Sequence, residues 1–553
     1  MEINKRTILW IVFSVSLVFL WNEWMVSNGK QSMFSATPPR VTAPVATAPA
    51  SGLPTATAAA GAGALPGALP GAVPVKSEIV TITTDVMRVD IDTAGGVIRH
   101  LELLKFKNAQ DNTKNQVLFD VNPAGVYVAQ SGLISNAAGS AMPNHTTGFV
   151  ARPGARTLDA NGQVQLVLDA DQGGVKLTKT FTFKRGDYLI DLRHDVTNAS
   201  AAPVSPSLYL QLQHHGNKPE GDSYFNSSYT GPTLFTSTDH YQKLKFETIE
   251  KKGKEEHATK ANDGWIAISQ HYFVSAFVPP QGKPREIFTK KVDTNLYAIG
   301  TVMPLGVIAP GASVSNDTKL YSGPQDENKL EKIAPGLELV KDYGMLTIIA
   351  KPIFWVIDKL HNVIGNWGWT IIAFTILIKL LFFPLSAAGY KSMARIKVVT
   401  PKMQAIRERY KNDPAKMNQA TMELYKTEKI NPLGGCLPIV VQMPVFIALY
   451  WVLQASAEMR GAPWILWIHD LTAPDPFFIL PVLYAISMFI TTKLNPQPAD
   501  PVQAKMMLFM PLAFSVMFVF FPAGLVLYWV VNNILSIAQQ WVITKKFEAG
   551  KAK

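Results

Sequence analysis

The side chains with the most chemical potential in this chain lie where polarity is least expected. Lys379 sits inside an apolar run, Gly368–Leu385, with Thr375 four positions before it and Ser386 seven after, all on one helical face. A charge at the centre of a membrane helix costs about 2.5–3.5 kcal/mol on insertion scales. Two readings meet that cost. The long side chain snorkels to the surface, being only six residues from Leu385, or a polar stripe opens a water-filled cavity. A second stripe lies near the C-terminus, where Tyr528, Asn532, Ser536 and Gln539 recur at steps of four, four and three. In lipid such a face must turn toward protein or water. Gln442, Thr491 and Thr492 could join it. Helix–helix hydrogen bonding accounts for any one of them alone, but together they favour a hydrophilic groove.

Other chemistry is thinly represented. No Walker-type phosphate loop, HExxH or paired CxxC occurs in the sequence. Neither ATP hydrolysis nor metal chemistry is expected, and no cofactor or metal site is assigned. Cys436 is the one cysteine, so an intramolecular disulfide is excluded. His214, His215 and Asp222 could form an acid–base set, which would suit a membrane-tethered sugar-acting enzyme, although a structural role is the better reading. A secondary transporter is the other rival, since intramembrane charge also marks ion pathways. Against it, no inverted repeat or pair of broken helices is visible.

The elements that must position these residues follow from composition. Of 553 residues, 48% are hydrophobic and 17% charged, with mean hydropathy +0.11. A soluble chain usually carries more charge. The apolar excess collects in the first 26 residues and after residue 345. Ile8–Leu20, preceded by Lys5 and Arg6, is either a signal peptide or an anchor, and an uncleaved anchor within residues 1–30 is the better reading. Residues 31–75, rich in Ala, Pro, Thr and Gly, predict a flexible tether. From 76 to 325, short alternating runs predict a large β-sandwich. These runs are Thr81–Ile91, Gln163–Asp169, Leu177–Phe183, Tyr188–Val196 and Ser207–Gln213, with turns at Asn161-Gly162, Gly173-Gly174 and Arg185-Gly186-Asp187. Residues 326–366 predict an amphipathic helix at the membrane surface, interrupted by Pro352.

Five apolar segments follow: Gly368–Leu385, Leu437–Ala455, Phe477–Thr492, Met506–Phe521 and Gly524–Ile543. They correspond to a second span over 367–385 and four more over 431–543. Two of them are 16 residues long, about 24 Å as helix and short for a hydrocarbon core of about 30 Å. Pro522-Ala523-Gly524 predicts a tight hairpin between the last two. Charge sets the orientation. The loop 386–430 carries Lys391, Arg395, Lys397, Lys402, Arg407, Arg409, Lys411, Lys416, Lys426 and Lys429, and the tail 544–553 adds four lysines. Arg460 is the only Lys or Arg in Ser456–Pro476. Six spans with both termini and the basic loop in the cytoplasm satisfy the positive-inside rule.

The basic loop itself reads as a helical hairpin, Ala387–Tyr410 and a second helix that Asp413 caps and Pro414 opens. Met393, Ile396, Met403, Ile406 and Tyr410 could face Met417, Leu424 and Tyr425. It is either a solvated positive-inside element or a contact surface for nascent chains, the ribosome or acidic lipid heads, with Arg395, Arg407, Arg409 and Lys411 as candidate contacts. The fifth span is rich in Met and Phe, which suits either lipid-facing packing or a surface that accepts varied apolar partners.

Asn431-Pro432-Leu433-Gly434-Gly435-Cys436 followed by Gln442-Met443-Pro444 resembles the YidC/Oxa/Alb family of membrane-protein insertases. Trp467-Ile468-His469-Asp470-Leu471 and Phe521-Pro522-Ala523-Gly524-Leu525-Val526-Leu527-Tyr528 are similar to the same family, and the layout matches over essentially the whole chain. The resemblance implies an insertase and folding chaperone, not an enzyme, in a Gram-negative inner membrane. It implies a five-helix core around a groove open to cytoplasm and lipid, an N-terminal anchor helix and a periplasmic β-supersandwich similar in fold to sugar mutarotases. It also implies nascent membrane proteins, the Sec translocon, the ribosome and lipids as partners, with no direct nucleic-acid role. The groove would be lined by Lys379, Thr375, Gln442, Tyr528, Trp529, Asn532 and Ser536. Clients would slide into lipid past Met443, Pro444, Phe446, Met510, Phe514 and Met517. The family usually has arginine where Lys379 stands, so positive charge is kept and the bidentate guanidinium fork is lost.

Overall fold

Strict alternation builds the first half. In Gln163–Gln172 the side chains of Val164, Leu166, Leu168 and Ala170 turn inward while their neighbours face water. The computed structural model describes residues 77–549 apart from 109–110, 112, 136–140, 220–228, 254–255, 411–412, 429–436, 496–504, 507–508, 510–512 and 514. The anchor and tether expected over 1–75, Asp222, Lys411, Met510, Phe514 and the motif Asn431–Cys436 therefore lie outside the described residues.

Two antiparallel sheets form a sandwich. One has ten strands and runs Ile79–Thr83, Met87–Asp92, Val97–Lys107, Gly125–Ser135, Pro206–His215, Leu296–Pro304, Arg285–Asp293 and Lys260–Ala261, with Asn115–Val117 and Asp120–Asn122 beside it. The other has nine and runs His240–Lys243, Gly231–Thr236, Trp265–Ser269, Phe273–Val278, Ser313–Pro324, Leu189–Asn198, Val175–Lys184, Gln163–Gln172 and Val150–Ala151. The inward side chains of both sheets make one apolar core. The run read as one strand, Thr81–Ile91, is two. The Thr84 hydroxyl accepts from the amides of Val86 and Met87, at 3.2 and 3.0 Å, and turns the chain between them.

Among the described residues the named helices are α1 (Phe246–Lys252), α2 (Glu327–Ile333), α3 (Thr347–Ile364), α4 (Trp367–Leu381), α5 (Phe383–Arg409), α6 (Pro414–Thr427), α7 (Leu437–Ala455), α8 (Ile479–Leu494) and α9 (Ala523–Ala549). The expected surface helix is in fact several pieces: α2, two 3-10 turns at Leu337–Val340 and Gly344–Leu346, and α3. Pro352 lies inside α3 and does not end it. One face of α3 buries Ala350, Ile353, Phe354 and Ile357, while Ile348 and Val363 stand 90% and 87% exposed. Gly365, at φ 74°, closes the helix with a left-handed residue.

The run Gly368–Leu385 is not one straight helix. It breaks at Phe382, and α4 and α5 meet at a 67° bend. Pro384 is the cause, because it offers no amide to the preceding turn and opens α5 instead. Among the described residues, one helix, Ala523–Lys546, is long and apolar enough to cross a membrane by itself, and a second if the bent pair counts as one span. Around α9 pack α4, α5, α7 and α8, and α3 lies across α4 and α7. Their apolar faces share a second core, distinct from that of the sandwich.

Candidate functional site

Three helices bring their polar residues to one place. α4 supplies Lys379, α7 supplies Gln442, and α9 supplies Tyr528, Asn532 and Ser536. The Lys379 Nζ donates to Ser536 Oγ at 2.7 Å and to Gln442 Oε1 at 3.4 Å. Gln442 Nε2 in turn donates to Tyr528 OH at 3.2 Å and to Asn532 Oδ1. Ser536 returns its proton to Asn532 O at 2.8 Å, one helical turn back. Lys379 is 5% exposed, so the amine is folded into the helix cluster and does not snorkel. Among the described residues no carboxylate pairs with it.

Neutral oxygens hold the ammonium without cancelling its charge. The arrangement can attract a carboxylate and offer donors and acceptors to a polar segment. The Ser536 hydroxyl beside the amine donates to Asn532 O and accepts from Lys379.

Several residues expected in the stripe do other work. Thr375 is buried and spends its hydroxyl on Ile371 O at 2.7 Å. Thr491 and Thr492 likewise bond back to Ser487 O and Met488 O, at 2.9 Å each. These are intrahelical bonds that need no groove. Trp529 packs in an aromatic cluster with Phe446, Tyr484 and Phe518, at centroid distances of 4.7, 6.1 and 6.0 Å. Phe446 is thereby a packing residue of the helix cluster, whereas Met443 is 41% exposed. Pro444 and Met517 are half-buried. The sequence reading missed Asn533, whose amide donates to Ser487 Oγ at 3.0 Å, and Gln540, which donates to Asn495 Oδ1 at 3.0 Å, together tying α9 to α8 and its C-cap. Their spacing, one off the Lys379 stripe, is the signal that was available.

The basic hairpin forms as α5 and α6. Asp413 caps α6 by accepting from Lys416 N at 3.1 Å. Tyr425 OH meets Met403 Sδ at 3.5 Å and Lys402 pairs with Glu428 at 2.6 Å. Arg395 and Arg409 are exposed and Arg407 is half-buried. His214 is buried in the sandwich, stacked on Phe246 and bonded to its neighbour's carbonyl, and burial holds its imidazole down at about 3. A histidine kept neutral this way cannot act as an acid near neutral pH.

Comparison with known proteins agrees with this division into two parts. Residues 79–356 match the family described as YidC periplasmic domain, and residues 359–551 match the 60Kd inner membrane protein family. The membrane protein insertase YidC of Herminiimonas arsenicoxydans is 61% identical, with 99% of each chain covered. That of Janthinobacterium sp. (strain Marseille) is 60% identical, covering 98% of this chain and 99% of its own. A crystal structure of an active YidC insertase is similar at 17% identity and TM-score 0.39, covering 84% of this chain and 93% of that one. Matched in both halves, and over nearly its whole length by relatives this similar, the chain belongs to the YidC family of membrane protein insertases, inner-membrane proteins with a periplasmic domain.

Proposed function

We propose that this chain inserts nascent membrane proteins by sheltering the polar flank of an entering span beside Lys379 while the apolar part moves into lipid. One observation carries the reading: a buried lysine held only by Ser536 and Gln442 among the described residues. A buried cation without a counter-ion is unfavourable unless water or a client's carboxylate reaches it. Burial of the client's apolar helix in lipid supplies the net free energy. The exposed Met443, with Pro444 and Met517, forms the side on which a client leaves.

In this reading the chain has six spans, both termini cytoplasmic, and α5–α6 reaching into the cytoplasm with Arg395, Arg407 and Arg409 toward ribosome, client or acidic lipid. The short apolar runs thin the bilayer locally and reduce the thickness a client must cross. The chain works alone or with the Sec translocon, and the β domain has no catalytic part. The test is insertion of a small single-span protein into liposomes containing only this purified chain, read by protease protection. Protection above that of empty liposomes supports autonomous insertion. No gain, with the chain folded and correctly oriented, overturns it.

A further inference from the structure

The segment Ser456–Pro476, between α7 and α8, behaves as a plate to which the outer ends of the helices are fastened. Asn366, which caps α4, donates its Nδ2 to Pro463 O and Trp464 O at 3.1 and 3.3 Å. The ring of Trp464 lies against Gly368, where a Cβ would be 2.2 Å from it. The first amides of α9, Ala523 and Gly524, donate to Ala473 O and Leu471 O at 2.7 and 2.9 Å. Asp475 accepts from the amides of Phe477 and Leu480 at the entry to α8, at 3.0 and 2.7 Å, and from Trp467 Nε1 at 3.0 Å. The plate thus sets the spacing of α4 and α9, the helices that carry Lys379 and Ser536.

The other side of this plate is gripped by the β domain and the segment that follows it. Lys341, whose side chain is 0% exposed, reaches both oxygens of Glu458 at 2.9 and 3.0 Å. Its amine also lies 3.7 Å from the centroid of the Phe354 ring, so α3 covers the pair. Arg460, the lone basic residue of the plate, donates to Lys107 O at 2.7 Å and Gln116 Oε1 at 3.1 Å. Its guanidinium lies over the rings of Tyr272 and Phe273 at 5.4 and 5.3 Å. His271 bonds Gln454 O, at the end of α7, at 2.8 Å.

We propose that Lys341–Glu458 and Arg460 are positioning residues for insertion: they latch the β domain to the 456–476 plate and thereby hold Lys379 and Ser536 at groove spacing. This rests on the groove reading above. The latch makes the β domain a support for the groove's outer end, and it confines that role to the Lys341 segment and the edge around Lys107, Gln116 and Tyr272.

Charge exchange in the full chain, reconstituted in liposomes, tests it. Lys341→Glu and Glu458→Lys are each expected to lower insertion by about 10-fold or more, because a buried charge left unpaired opens the contact it sits in. The double reversal is expected to recover insertion to within about 3-fold of the parent, and Lys341→Arg to retain it. The β domain's thermal transition should not move in any of these. Single variants that insert at the parent rate overturn the proposal, as does a double reversal no better than the poorer single. Should a reversed chain fail to fold, Lys341→Met with Glu458→Leu replaces it, and the apolar pair must then outperform either of its singles. A Lys379→Ala control in the same vesicles separates the two readings. Failed rescue with intact Lys379 dependence removes only the latch, whereas absent Lys379 dependence removes the groove reading.

Discussion

The amine of Lys379 and the hydroxyl of Ser536 meet at 2.7 Å across 157 positions of sequence. That bond joins α4 to α9, and Gln442 extends it to α7. A lysine reaching the membrane surface would have its amine in water. Here it is turned into the helix cluster, and neutral oxygens accept its hydrogen bonds.

Gln442 is the hinge of this chain of bonds, accepting from Lys379 and donating to Tyr528 and Asn532. Gln442→Leu removes both functions and leaves polar atoms of α9 short of a partner. The helical core is expected to lose about 1–3 kcal/mol, seen as a lower helix-melting temperature in detergent. An unchanged melt would mean that water replaces Gln442 without loss.

Trp529 belongs to the packing and not to the polar chain. Trp529→Ala empties a site among Phe446, Tyr484 and Phe518, with an expected cost of about 3–5 kcal/mol. Trp529→Phe should be far milder. Neither should alter the preference among clients with acidic and neutral flanks, measured by protease protection. A change in that preference would return Trp529 to the groove.

Gly368 has no room for a methyl group, since Trp464 Cδ1 would stand 2.2 Å from it. Gly368→Ala must displace Trp464 and with it the 456–476 plate. A loss of about 1–3 kcal/mol is expected, with faster proteolysis within that plate. Equal protease resistance would count against the plate as a rigid element.

The sandwich carries its own titratable interior. Lys179 is fully buried, donates to Gly95 O and Ser131 O at 2.7 and 2.8 Å, and is pushed down to about 7 by burial. In the unfolded chain it holds its proton up to about 10.5. Between those values the unfolded state binds more protons, so stability is greater at the alkaline end and falls as pH drops toward 7. His145, pushed down to about 3 by burial and then by the Lys179 charge, adds a further loss between about 6.5 and 3. The β domain should therefore melt higher at pH 9 than at pH 7, and Lys179→Met should flatten that difference. A wild-type melt independent of pH over this range would contradict the assignment.

The sandwich was legible because several of its strands alternate clearly, although strands such as Val97–Lys107 and Leu296–Pro304 were not picked out. The runs from Gln163, Leu177, Tyr188 and Ser207 all fall on observed strands, and Gly173, Gly174 and Gly186 take the positive φ their turns require. Lys179 was not legible. It occupies an inward position between Leu177 and Phe181, and alternation alone cannot say that a lysine will be buried there. In the helical half, the spacing of Tyr528, Asn532 and Ser536 located the stripe, and Lys379 was found by its apolar surroundings. The break at Phe382 was available in Pro384 and was passed over because hydropathy runs on without interruption. Thr375 and Trp529 share the right segments, yet an intrahelical bond and a 100° step per residue turn them to other tasks. The contacts of the 456–476 plate with Lys341 and Lys107 join residues more than 100 positions apart and leave no periodic trace.

The most direct test pairs Lys379 variants with clients that differ only in the charge of the translocated flank, inserted into liposomes and read by protease protection. Lys379→Ala should lower insertion of the acidic client by about 10-fold, equivalent to about 1.4 kcal/mol, leave the neutral client nearly unaffected, and be rescued by Lys379→Arg. Equal insertion of both clients by Lys379→Ala and by the unaltered chain would contradict the role given to the buried charge.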